Sequence, residues 1–262
     1  MNKLTGLSVF LLVLASLQAP ALAQGPTALA PSEYTAVYEV LRNGEKVANV
    51  TLELSRQGDG WAYSGFTHDM RGLGKMLNVK GKQDVTGKWL EGGFRPDNYT
   101  FSFSLVGYRS RWQADFDWLD GTVTAGKKSK KTTLPLTGSA MDPMSLMLNT
   151  GAMLSTGRTE MTVDVIDRDE IENHLYRAHP GEFLDTALGC MKTARVERIR
   201  ENSKRRSTAW YAEELAYIPL QVRHLNKKGS KMEVSIVSLR VAGQEAPVAA
   251  ACPIETGPAA GS

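Results

Sequence analysis

Tyr34–Leu54 reads YTAVYEVLRNGEKVANVTLEL. Tyr34, Ala36, Tyr38 and Val40 alternate with more polar neighbours, the period-two pattern of a half-buried strand. Asn43-Gly44 then supplies the two residues that most easily take positive φ, as a two-residue hairpin turn demands. The return strand, Val47–Leu54, keeps Ala48, Val50, Leu52 and Leu54 on one face. One hairpin with a single apolar face must bury that face against more sheet, so the segment predicts an antiparallel β domain.

Working outward, the same rhythm recurs. Gln57-Gly58-Asp59-Gly60 turns the chain into a strand at Trp61–His68. Arg71–Leu77, with Gly72 and Gly74, breaks the alternation and is expected to form a short helical turn or flap. Strands follow at Val79–Val85, Asn98–Leu105 and Arg109–Trp118. The last is the cleanest: Trp112, Ala114, Phe116 and Trp118 share one face, and Arg111, Gln113, Asp115 and Asp117 the other. Asp120-Gly121 leads into Thr122–Ala125. The second half predicts strands at Glu160–Ile166, Ile171–Ala178, Glu182–Thr186, Met191–Arg200, Ser207–Ala212, Leu220–Asn226 and Met232–Val241. Short strands at regular spacing with Gly-rich turns predict an all-β fold: a single antiparallel curved sheet forming an open barrel-like domain over residues 33–242.

One helix interrupts the sheet. Asp142 is placed to cap it and Pro143 suits its first position. Met144, Met147, Leu148 and Met153 follow at helical spacing, while Gly151 and Gly157 are expected to limit its length. Such a helix is a plug or a lid over the barrel mouth. Methionine adapts to varied apolar partners, so Met144, Met147 and Leu148 are the candidate ligand-binding residues, for an acyl chain or a lipidated segment. An interior left open beside Asp142–Leu154 favours ligand binding; a filled one favours a protein–protein interaction module.

The N-terminus carries an address. Lys3, the apolar run Leu7–Leu17 and the small-x-small Ala21-Leu22-Ala23 form the three parts of a secretory signal peptide, with cleavage expected between Ala23 and Gln24. The run is too short to span a bilayer, so a periplasmic protein without a transmembrane anchor is expected. Export makes a bridge between Cys190 and Cys252, the only two cysteines, the expected state. From Gly243 the chain is rich in Ala, Pro and Gly, and residues 243–262 are expected to form a flexible tail.

Formal net charge is +3, and +2 once Lys3 is removed. The cations are clustered nonetheless, in Lys127–Lys131, Lys204–Arg206 and Lys227–Lys231. These fit solvated hairpin tips or contact with anionic headgroups or cell-wall polymer. No aromatic residues interleave them, so nucleic acid is not an expected partner. No GxSxG, SxxK or HExxH occurs. Gly81–Lys88 has the wrong spacing for a phosphate loop, and Trp89 stands where Ser or Thr must hold magnesium. His174 and His179 are an odd number apart and point to opposite faces of one strand; no metal or other cofactor is expected. Asp164, Asp167, Asp169, Glu170 and Glu172 lack the glycine of a calcium loop and fit a polar hairpin tip. A hydrolase reading would need a cleft that joins His68, Asp69 and Arg71.

Several segments resemble a family. Tyr34–Val50, Asp142-Pro143-Met144-Ser145-Leu146, Thr186-Ala187-Leu188-Gly189 with Lys192-Thr193, and Trp210-Tyr211-Ala212 before Ile218-Pro219-Leu220-Gln221-Val222 are similar to the bacterial periplasmic domain-of-unknown-function family thirty-one-zero-eight. The resemblance covers most of Glu33–Leu239. It implies a curved antiparallel barrel-like fold in the Gram-negative envelope, similar in shape to the half-open barrels of lipoprotein carriers. It brings no catalytic residue. The function expected is non-enzymatic binding of a lipid, lipoprotein or other apolar envelope component, the alternative being an interaction module that contacts an envelope protein.

Overall fold

The computed structural model describes residues 32–90, 92–127, 129–168, 170–201, 203–250 and 252. The expected signal peptide and its cleavage site lie outside them. The first half is a meander: β1 (Tyr34–Arg42), β2 (Glu45–Gln57), β3 (Gly60–His68), β4 (Lys80–Leu90), β5 (Gly93–Leu105), β6 (Tyr108–Asp117), β7 (Thr122–Lys127) and β8 (Lys130–Pro135), with the short helix α1 (Gly72–Met76) between β3 and β4. Asn43 and Gly44 take φ of 52° and 87°, the hairpin geometry their sequence predicts. After β9 (Ala140–Met141) and α2 (Pro143–Ser155) a second meander follows: β10 (Glu160–Asp167), β11 (Glu170–Thr186), β12 (Gly189–Ile199), β13 (Arg206–Ala212), β14 (Ile218–Leu225), β15 (Lys231–Val241) and β16 (Gln244–Glu245).

All the strands belong to one sheet, ordered β8-β7-β6-β5-β4-β3-β2-β1-β15-β14-β13-β12-β11-β10-β9, with β16 paired to β15. Every pairing is antiparallel except β9 with β10. The two meanders are joined by β1 against β15, from Tyr34 opposite Val241 to Arg42 opposite Met232. The sheet's two edges, β8 and β9, are adjacent in the chain. Only residues 136–139 separate them, so the edges stand within roughly 18 Å of each other. The sheet therefore rolls into a barrel that does not close, leaving a seam. Thr137 Oγ1 donates to Asp164 Oδ2 at 2.6 Å and fastens the link to β10.

α2 fills the interior. Asp142 Oδ1 accepts from the Met144 and Ser145 N–H groups at 2.8 and 3.0 Å, and Ser145 Oγ accepts from the Asp142 N–H at 3.1 Å, a complete capping box. One side of the helix, through Met144 and Leu148, joins the core built by Tyr34, Leu54, Tyr63, Val85 and Leu239. The other side, through Met153 and Leu154, packs on Val163, Val165, Val196 and Tyr211. A helix buried on all sides is apolar all round, as this one is. Asn149 docks it in register: its amide donates to the Phe94 carbonyl at 2.7 Å and accepts from the Phe94 N–H at 2.8 Å.

Gly151 does not end the helix. It lies inside it, where a Cβ would come within 2.8 Å of the Tyr217 carbonyl. The close approach, not termination, is what requires glycine there. Two further expectations shift. Ile171–Ala178 and Glu182–Thr186 are one strand, β11, because a bulge between Pro180 and Glu182 absorbs Gly181 without breaking the ladder. The tail expected from Gly243 is tied down through Ala250: β16 pairs β15, the Ala249 N–H donates to Leu188 O at 2.8 Å, and the Cys190 N–H donates to Ala250 O at 2.7 Å. Cys190 and Cys252 are bonded, which closes a 62-residue separation. Loop-closure entropy for that length is worth about 4 kcal/mol at most.

Candidate ligand-binding groove

The interior is filled along α2 and opens past its first residue. There the inner faces of β5 and β6 continue beyond the plug. The register sets Tyr99, Phe101 and Phe103 opposite Ala114, Trp112 and Ser110 on one face. Together with Tyr108 these aromatics floor a groove of about 870 Å³. Its sides are the β7–β8 turn, with Lys127 and Lys130, and the β10–β11 turn, with Ile166, Asp167 and Arg168; Pro143 of α2 forms its inner end. The groove is the mouth of the seam.

The floor is ordered by ring contacts and one hydrogen bond. Tyr99 meets Trp112 edge-on at 5.5 Å between centroids, and its hydroxyl donates to Gln83 Oε1 at 2.6 Å. Burial, with the Asp142 and Asp167 carboxylates nearby, pushes the Tyr99 phenol well above its ordinary range, so it stays neutral. Phe101 and Tyr108 keep 38% and 48% of their surface in water, which is unusual for rings on the inner face of a barrel. The Trp112 indole N–H is buried and has no acceptor among the described residues. At the rim, Lys127, Lys130 and Arg168 make no ion pair with any described residue, whereas Lys131 pairs with Asp115 at 3.0 Å.

A second, wider cleft of about 1790 Å³ adjoins the first and shares Phe103, Tyr108 and Ser110 with it. It runs beneath α1 and the β5–β6 turn and is lined by His68, Asp69 and Arg71. The hydrolase constellation is thus partly assembled. His68 Nδ1 lies 3.0 Å from Asp69 Oδ2, and His68 Nε2 lies 2.9 Å from Thr51 Oγ1. Thr51 is buried and is not part of the cleft wall, so its hydroxyl is not presented to a substrate there. The Asn49 amide and His68 hold the Asp69 carboxyl below its usual range. His174, on the inner face of β11, is occupied by Glu172 and Tyr176 at 3.0 and 3.1 Å.

Met144, Met147 and Leu148 lie inside the barrel. Met144 and Leu148 are core residues, and Met147 Sδ accepts the Tyr63 hydroxyl at 3.4 Å. The helix that carries them is a plug, and Pro143 is its residue on the groove wall. The groove aromatics were not among the residues singled out by the sequence. The signal for them is the inner-face run Tyr99, Phe101, Phe103 continuing to Tyr108 at a hairpin tip, where apolar side chains have no strand left to cover them.

This geometry defines a class: an open, antiparallel β-barrel plugged by one helix, with an aromatic groove at its seam. Residues 33–235 match the model of a family described as "Protein of unknown function (DUF3108)", and the chain belongs to that family. The solved structure of a beta-barrel-like protein of domain of unknown function DUF1849 from Brucella abortus superposes with a TM-score of 0.54 at 12% identity, covering 82% of this chain and 99% of that one. That likeness establishes the barrel-like fold. A candidate lipoprotein from Parabacteroides distasonis gives a TM-score of 0.30 at 9% identity over 80% of this chain and 96% of its own. A candidate outer-membrane lipoprotein-sorting domain from Vibrio parahaemolyticus gives 0.21 at 10% identity over 80% and 86%. At those scores neither likeness carries an argument. No curated protein matches the chain.

Proposed function

We propose that the protein is a non-enzymatic, exported binder of an amphipathic envelope component, a lipid or the acyl part of a lipoprotein. The observation that carries this is the groove itself: an aromatic floor left in water at Phe101 and Tyr108, with Lys127, Lys130 and Arg168 at its rim. Apolar sites with a few polar groups at one end orient an amphipathic ligand, tail inward and acidic head at the cations. The disulfide fits an oxidising compartment. No helix among the described residues is long and apolar enough to cross a membrane.

Native mass spectrometry after gentle purification, with titration of a dansyl-labelled fatty acid, tests this. Co-purifying lipid or saturable uptake is expected, and Phe101→Asp is expected to weaken uptake at least tenfold. A protein that is always empty and takes up no labelled lipid from membranes sinks the proposal.

A further inference from the structure

The sheet's register sorts charge. Seven turns lie at the groove end of the barrel, at residues 42–46, 68–82, 104–111, 127–131, 167–171, 199–207 and 225–232, because each joins strands whose paired ends meet there. Their described residues include nineteen Lys and Arg against five Asp and Glu. The whole sequence holds 31 and 28. At the opposite end, the described residues of the links at 57–60, 90–93, 117–122, 156–159, 186–189, 212–218 and 241–245 carry six carboxylates and one cation, Arg158. The small net charge therefore hides a strong polarity along the barrel. The three basic runs, far apart in sequence, converge at one rim.

The same rim exposes three apolar side chains close together in the chain's fold. Leu73 and Met76 of α1 are 73% and 78% exposed, and Val106 at the β5–β6 tip is 65% exposed. α1 has no buried residue and no side-chain cap. It is held in place by backbone bonds: the Arg71 N–H to Val47 O at 2.9 Å, the Val79 N–H to Gly74 O at 2.9 Å, and the Val106 N–H to Leu77 O at 2.8 Å. Three bonds thus present apolar side chains outward in a fixed lip over the wide cleft. Arg71, Lys75, Lys80, Arg109 and Arg111 surround the lip and form no ion pair with any described residue. Large apolar side chains ringed by cations match the layered chemistry of an anionic bilayer, hydrocarbon below and phosphate above. An anionic polysaccharide offers the charge but no hydrocarbon for Leu73, Met76 and Val106.

We infer that the protein docks end-on to an anionic lipid bilayer, with Leu73, Met76 and Val106 inserted between headgroups and the basic rim lying on the phosphates. Docking there sets the mouth of the groove against the surface that supplies or receives its ligand. That purpose rests on the binding proposal; the docking itself does not.

Co-sedimentation with vesicles of phosphatidylglycerol and phosphatidylethanolamine, against phosphatidylcholine alone, tests it. Binding to the anionic vesicles is expected, falling with added salt as the cations are screened. The Leu73→Asp/Met76→Asp double variant is expected to lose at least tenfold in vesicle affinity, and Lys75→Glu/Lys80→Glu to lose several-fold. Leu119→Asp, at an exposed leucine of the acidic end, is expected to bind as the parent does. Parent-like binding by the double variant overturns the inference. So does equal binding to a soluble anionic polysaccharide, or no binding to anionic vesicles. Uptake of the dansyl fatty acid without vesicles separates the two proposals. Lip variants are expected to retain it, and Phe101→Asp to lose it while still binding vesicles.

Discussion

The two helices of this barrel make opposite use of apolar side chains. α2 begins at a full capping box, runs thirteen residues and buries Met144, Leu148, Met153 and Leu154. α1 has five residues, no side-chain cap and nothing buried, and it leaves Leu73 and Met76 in water. Stability accounts for the first. It cannot account for the second, because an exposed leucine gains nothing from the hydrophobic effect. The inferred docking on a bilayer gives those side chains a partner that the fold itself does not supply.

The contrast is broken most severely at Leu148. Leu148→Ala removes packing against the Tyr34–Tyr63 side of the core and leaves a cavity that the surrounding sheet does not readily collapse. A loss of about 2–5 kcal/mol is expected in denaturant unfolding. A loss under about 1 kcal/mol would mean that α2 is a loosely seated lid, and the distinction from α1 would fail.

The next largest effect belongs to the cap. Asp142 is fully buried, and desolvation pushes its carboxyl up from 3.8 to about 6 despite the bonds from Ser145 and Met144. Between those values the folded state keeps a proton that the unfolded chain has lost. The contribution of Asp142 is therefore greatest below about pH 4, declines as pH rises through 6, and is flat above. The full swing is about 3 kcal/mol. The carboxyls of Asp69, Asp164 and Glu172 are held low and act in the opposite sense, losing their stabilisation as pH falls. The measurement is thus a difference: Asp142→Asn keeps the capping oxygen, and parent and variant melting curves are compared from pH 4 to 8. The parent is expected to lose stability relative to the variant as pH rises through 6. Parallel curves would refute it.

Asn149→Ala removes both bonds to Phe94 and leaves that backbone pair without its partner inside the barrel. A cost of about 1–3 kcal/mol is expected in thermal or denaturant unfolding. Asn149→Asp, which keeps the acceptor but not the donor, is expected to lose at least as much.

Much of this was legible in the chain. Alternation over Tyr34–Leu54 and Arg109–Trp118 marks strands because a sheet with one buried face must repeat every two residues. Asp142-Pro143 marks a helix start because a cap and a donor-free first position are local requirements. The bridge between Cys190 and Cys252 is legible from their number and from the export that the N-terminal sequence predicts. β8 was hidden, since an edge strand reading KKTTLP has charge and threonine where a central strand has apolar residues. The groove was hidden for another reason. Whether Phe101 and Phe103 are covered depends on how far the first turn of α2 reaches inside the barrel, and no local pattern encodes that. The charged rim was the least legible. Lys127, Arg206 and Lys231 come together only through the pairing of β1 with β15 and the order of the two meanders, which are long-range facts.

The smallest expected effect is at α1, and it is the most discriminating. Leu73→Ala and Met76→Ala remove exposed side chains that no core residue touches, so unfolding free energy is expected to change by no more than about 0.5 kcal/mol. A loss of 2 kcal/mol or more would show that the lip folds back onto the wide cleft in solution and buries those side chains. It would then belong with α2 as a packing element. An unchanged stability keeps the two helices apart in kind: one spends its apolar residues on the core, and the other holds them in reserve at the basic rim.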